Sequence, residues 1–156
     1  MKRLIFTLFL ATAIAFAQHS HHETMPSQPA ELLEGLGDHH HPISTKSELA
    51  QKFFDQGLAL IYGFNHDEAA RLFARAAEYD PQSPMPHWGI ALALGPNYNM
   101  PAMPEREAKA WMAIEKATSL AKNAPGHERA YVEALVQRYS KDPEADRKML
   151  AAKYKD

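Results

Sequence analysis

Beyond Pro42 the chain is cut at short intervals by helix breakers: Gly63-Phe64-Asn65, Asp80-Pro81, Gly95-Pro96, Pro125-Gly126 and Asp142-Pro143. The stretches between them are Ala-rich and carry apolar residues at helical period, with no alternating Val/Ile/Thr run that would form a strand. This punctuation fixes the fold class as all-α. Thr45-Lys46-Ser47-Glu48 fits a capping box, in which the Thr hydroxyl and the Glu carboxylate satisfy free backbone donors, and opens a first helix to about Tyr62. Asn65 caps a second helix to about Tyr79, with Asp67 and Glu68 in its first turn complementing the helix dipole. Ser83 and Pro84 start a third helix through Leu94, and Pro104 a fourth to about Asn123. A fifth runs from Pro125-Gly126 to about Tyr139, and Asp142-Pro143-Glu144 starts a sixth. Short turns make successive helices antiparallel neighbours, and about six helices stacked as hairpins build an α-solenoid.

The segment before Pro42 is different. Lys2 and Arg3, the apolar run Leu4 to Phe16 and the small-residue site Ala15-Phe16-Ala17 read as a secretory signal over residues 1–17. The run is too short to span a bilayer, so no membrane span is expected once the signal is removed. Residues 18–43 read as a His/Pro-rich flexible leader with an apolar patch at Leu32, Leu33 and Leu36, and residues 44–156 as the helical domain. The expected location is periplasmic or secreted. An exported chain of this size usually relies on disulfides if its core is small, yet there is no cysteine, so this one folds on packing alone. The same absence excludes thiolate metal sites and Cys nucleophiles. Seventeen Lys+Arg against nineteen Asp+Glu, without a basic stripe, argue against nucleic-acid binding.

The helices also repeat. Phe53, Gly57, Leu60, Ala69, Phe73, Ala76 and Pro81 follow the spacing of the tetratricopeptide pattern, with Gln56 where that pattern prefers leucine. Thirty-four residues on, Ala91 and Leu94 take the places of Gly57 and Leu60. An insertion around Gly95 to Pro104 then displaces the partner helix, where Ala110, Ile114 and Ala117 repeat the second-helix spacing. The chain thus resembles the tetratricopeptide-like repeat proteins over about residues 47–125. Through His40-His41-Pro42, Gln56-Gly57-Leu58, Gly63-Phe64-Asn65-His66 and Met85-Pro86-His87-Trp88-Gly89-Ile90-Ala91 it resembles an exported bacterial group of them. That resemblance implies further helical pairs beyond Asp156 and a groove for a protein or peptide partner, and with no catalytic motif in the chain the expected role is a non-catalytic interaction module. Its spacing assigns the groove to Gln51, Phe54, Leu58 and Ile61 of the first helix and Met85, Trp88 and Leu92 of the third. Lys, Arg and Asn, which clamp carboxylates in chaperone-binding relatives, are missing there. So apolar a groove needs a cover: a partner segment, the leader, or further helices. Asn97-Tyr98-Asn99 in the inserted loop offers amides and a phenol to a ligand.

Nine histidines support a second reading, a periplasmic divalent-metal-binding protein. Imidazole alone binds zinc or copper, and His40 or His41 folded back near His66 and His87 is the constellation to look for. In the first reading no cofactor is expected. No nucleophile elbow, phosphate loop or HExxH motif suggests an enzyme.

Overall fold

A computed structural model describes residues 29–97, 103–142 and 144–155. Six helices follow in order: α1 (Glu48–Tyr62), α2 (His66–Tyr79), α3 (Pro84–Leu94), α4 (Pro104–Ala121), α5 (Gly126–Val136) and α6 (Arg147–Lys155). The fold is all-α, and no strand occurs among the described residues. No helix among them is long and apolar enough to cross a membrane. The signal sequence at 1–17, the leader up to residue 28 and Asn99 fall outside the described residues.

Each boundary has a local cause. Ser47, not Thr45, caps α1: its backbone is extended and its hydroxyl accepts the Ala50 N–H at 3.1 Å. Thr45 turns elsewhere, accepting the Ser47 N–H at 3.1 Å and donating its own hydroxyl to Asp80 at 2.5 Å. Asn65 caps α2, and prolines open α3 and α4 as expected. Helix α5 stops at Val136 because the next three N–H groups bond three residues back and tighten the chain into a turn. Helix α6 starts later than the sequence suggests. Asp142 holds a turn by accepting the Glu144 N–H at 2.9 Å, while Asp146 caps the helix by accepting from Lys148 at 2.8 Å.

Successive helices pack on each other, and α3 also meets α1 and α5, so the odd-numbered helices share one side of the core. The key to this packing is Phe73 of α2, fully buried between two glycines. A Cβ at Gly57 of α1 would stand 2.6 Å from its ring, and one at Gly89 of α3 would stand 2.5 Å away. One aromatic side chain therefore sets the approach of three helices. Sequence spacing marks Gly57 and Ala69 as the small residues of a close approach with Phe73 filling the space around them; the structure sets the Phe73 ring against Gly57, and Gly89 completes the contact. On the other flank Tyr139 is buried and donates its hydroxyl to the Ala91 carbonyl at 2.6 Å, and burial pushes that hydroxyl's pKa well above its ordinary value. Helix α6 buries no residue. It is tied on by Arg147, which grips Glu107 with both guanidinium nitrogens, and by Tyr154, whose ring lies 5.2 Å from the Arg138 guanidinium.

Candidate functional site

Each odd helix contributes one aromatic residue to a continuous wall. Phe54 of α1 lies 6.5 Å from Trp88 of α3, ring centre to ring centre, and Trp88 lies 5.7 Å from Tyr131 of α5. The Trp88 indole N–H donates to the Tyr131 carbonyl at 3.1 Å, which fixes the middle of the wall. Phe54 and Trp88 stand 34 residues apart in sequence and meet where α1 and α3 pack together.

The wall is covered by the chain itself. Residues 29–47 form a strap that turns at Gly35 and Gly37, both with positive φ, and runs back along α1. His41 sits over the wall, 6.2 Å from Phe54 and 5.7 Å from Tyr131, and Ile43 is buried in the core. Leu36 packs against the same core. Of the patch at Leu32, Leu33 and Leu36 it is Leu36 that reaches the core, while the Leu32 and Leu33 side chains stay exposed. Of the three covers open to the sequence, the leader is the one in place.

The strap is gripped mainly by its backbone. The Gln51 amide accepts the Ile43 N–H at 3.0 Å and donates to the His41 carbonyl at 2.8 Å. Gln56 does the same at Leu33, accepting its N–H at 2.9 Å and donating to its carbonyl at 2.8 Å. A side-chain amide that pairs with both polar groups of an extended chain copies a sheet's ladder, and such pairing is indifferent to the side chains it holds. Gln56, the departure from the repeat pattern, is explained by this contact.

Carboxylates hold the rest. Asp55 accepts the His41 N–H at 2.9 Å and pairs with His40 Nδ1 at 2.8 Å. Glu128, only 1% exposed, accepts both the Ser44 N–H and, at 2.5 Å, the Ser44 hydroxyl. It stands in the first turn of α5, where the helix dipole favours an anion. Asp80 takes the Thr45 hydroxyl. Five of the contacts on residues 40–45 therefore end on acids, and a hydrogen bond to an ionised acceptor is roughly twice as strong as a neutral one.

Of the residues assigned to the groove by spacing, Gln51 makes the contact that matters. Phe54, Leu58, Met85 and Trp88 are buried core residues, and Ile61 and Leu92 pack partly buried beside them, so they do not line an open apolar surface. Asn97 follows α3 half-buried. Sequence reasoning missed Asp55, Asp80, Glu128 and Tyr131. Glu128 stands in a helix first turn, where the dipole alone accounts for an acid, Asp55 lies mid-helix and Asp80 just past the end of α2, and nothing local connects Glu128 with Ser44, 84 residues earlier.

The histidines go to separate places. His40 and His41 belong to the strap. His66 opens α2, where burial, and then the Arg106 guanidinium, lower its pKa against a smaller opposing pull from Asp67; Phe64 packs edge-on to its ring at 6.4 Å. His87 of α3 is lowered by burial and by Lys116. Among the described residues no group of three or more His, Asp or Glu side chains is placed to hold a metal ion. No family model matches the chain, and no curated protein or solved structure matches it significantly.

Proposed function

We propose that the chain is an exported tetratricopeptide-like α-solenoid acting as a non-catalytic interaction module, which binds an extended stretch of a protein partner against its odd-numbered helices. One observation carries this reading: an extended segment already lies there, held through its main chain by Gln51, Gln56, Asp55 and Glu128. Helices that present amide clamps to a backbone are suited to polypeptide as ligand, since the clamps match the repeat of an extended chain and no small molecule. The contacts of α3 with both α1 and α5 agree with stacked hairpins.

Panning a displayed peptide library against the full chain carrying Ile43→Asp and Ser44→Ala, which loosen its own segment, tests this. Peptides are expected to be selected whose binding weakens about tenfold or more on Gln51→Leu, the loss of two neutral bonds, or on Asp55→Leu, the loss of charge-assisted ones. Failure to select any peptide, or selected peptides insensitive to both substitutions, would refute the proposal.

A further inference from the structure

The strap contacts specify more than an extended backbone. Reading the contacts in order gives each position of residues 40–45 a requirement. Position 40 offers a donor to Asp55, and position 41 puts a flat ring on the Phe54 and Tyr131 rings. Position 42 is Pro42, exposed and without an N–H, between two residues whose backbone groups are both used. Proline there presets the extended conformation and gives up no bond. Ile43 fills an apolar position, and the hydroxyls at 44 and 45 meet Glu128 and Asp80. The receptor side thus presents three carboxylates to the segment, with Lys52 of α1 beside positions 40 and 45 and Glu128 buried opposite position 44. An acidic residue at 44 would meet the buried Glu128 as a like charge, which costs more than a missing bond, while at 40 and 45 it would forfeit the bonds to Asp55 and Asp80.

From this charge complementarity we infer that the partner is a donor-rich, non-acidic extended segment of another polypeptide, with a ring residue, a proline, an aliphatic residue and then Ser or Thr, for which residues 40–45 are the resident stand-in. The inference rests on the peptide-binding reading above and adds its specificity.

The test uses the full chain with the stand-in weakened by Ile43→Asp and Ser44→Ala, and a fluorescent peptide of residues 38–47 followed by anisotropy. The peptide is expected to bind this variant at least about tenfold more tightly than the wild-type chain, whose site is filled, and to lose about tenfold or more when its own Ser and Thr are both replaced by Asp. Circular dichroism verifies that the variant stays helical. If it does not, amide exchange in the wild-type chain gives the answer: excess peptide should speed exchange at His41, Ile43 and Ser44, and the Asp-substituted peptide should not. Equal binding of the native and Asp-substituted peptides overturns the inference, as does unchanged exchange. Library-selected peptides that bind at Gln51 but are acidic, or lack the proline–aliphatic step, would refute the specificity while leaving peptide binding intact. If neither the native nor any selected peptide binds, both readings fall. If the weakened variant dimerises on light scattering by taking up the strap of a second copy, a separate partner is the wrong occupant and the inference fails.

Discussion

Replacing Gly89 by alanine should destabilise this protein, although it improves a helix. In the interior of α3 the exchange removes backbone freedom from the unfolded chain and would by itself add about 1 kcal/mol. The new methyl would stand 2.5, 2.6 and 2.7 Å from three atoms of the Phe73 ring, where ordinary contact needs well over 3 Å. The ring has little room to retreat, because it is fully buried and its Cδ1–Cε1 edge also fills the space in front of Gly57, where a Cβ would stand 2.6 Å away. Overpacking of this kind costs about 1–3 kcal/mol, and with so little room for relief the upper end applies. The expected net loss is about 1–2 kcal/mol, read as a lowered urea midpoint at unchanged slope in far-ultraviolet circular dichroism. Gly63→Ala is the internal control: its φ is −80° and the nearest atom to a new Cβ is 3.4 Å away, so stability should stay within about 0.5 kcal/mol. Adding Phe73→Leu to Gly89→Ala should cost less than the sum of the two single changes, since the shorter side chain vacates the space the methyl needs. A Gly89→Ala variant as stable as the wild type, or more so, would refute the wedge.

Gln56→Leu, which restores the residue favoured by the repeat pattern, should abolish exchange protection at the Leu33 amide while altering global stability by less than about 1 kcal/mol, because only strap bonds are lost. Glu128→Gln should lower stability by about 2 kcal/mol in chemical denaturation, the loss of charge-assisted bonds from both Ser44 groups. Tyr139→Phe should remove about 1 kcal/mol by the same measure, since the Ala91 carbonyl keeps the Gly95 N–H as a second donor. For His66 and His87 the folded pKa lies below the unfolded 6.5, so below that pH the unfolded chain binds more protons. Their contribution is present above about pH 6.5 and is lost as pH falls toward the lowered folded values, so the urea midpoint should drop between pH 7 and pH 5. A His66→Gln, His87→Gln double variant should flatten that drop.

Helix positions were legible because their causes are local. Asn65, Ser83-Pro84 and Pro104 act within one turn of themselves, so short windows of sequence reveal them. Where a helix end depends on competition between neighbours, the reading slipped, as at Thr45, which a carboxylate 35 residues away draws off from the capping role. The tight contact at Gly57 could be seen in the spacing. The partner contact at Gly89 could not, since a helical glycine has no signature of what lies opposite. The site was half legible. Spacing placed Phe54 and Trp88 on one side of adjacent hairpins but could not show that His41 and Tyr131 close over them. Gln56 stood out only as a mismatch, and its reason was a leucine 23 residues earlier.

The strap enters α1 directly, with only Lys46 between the Thr45 anchor and the Ser47 cap. So short a tether holds the segment at an effective concentration on the order of millimolar. A segment that would bind in trans with a dissociation constant of about 0.1 mM would then stay about nine-tenths seated, and a competitor would have its apparent affinity reduced about tenfold. In the peptide-binding role we propose, covalent attachment would convert modest contacts into a threshold: dilute or weak competitors would be turned away, and occupancy by another chain would rise only once its concentration passed a level set by the length of the linker.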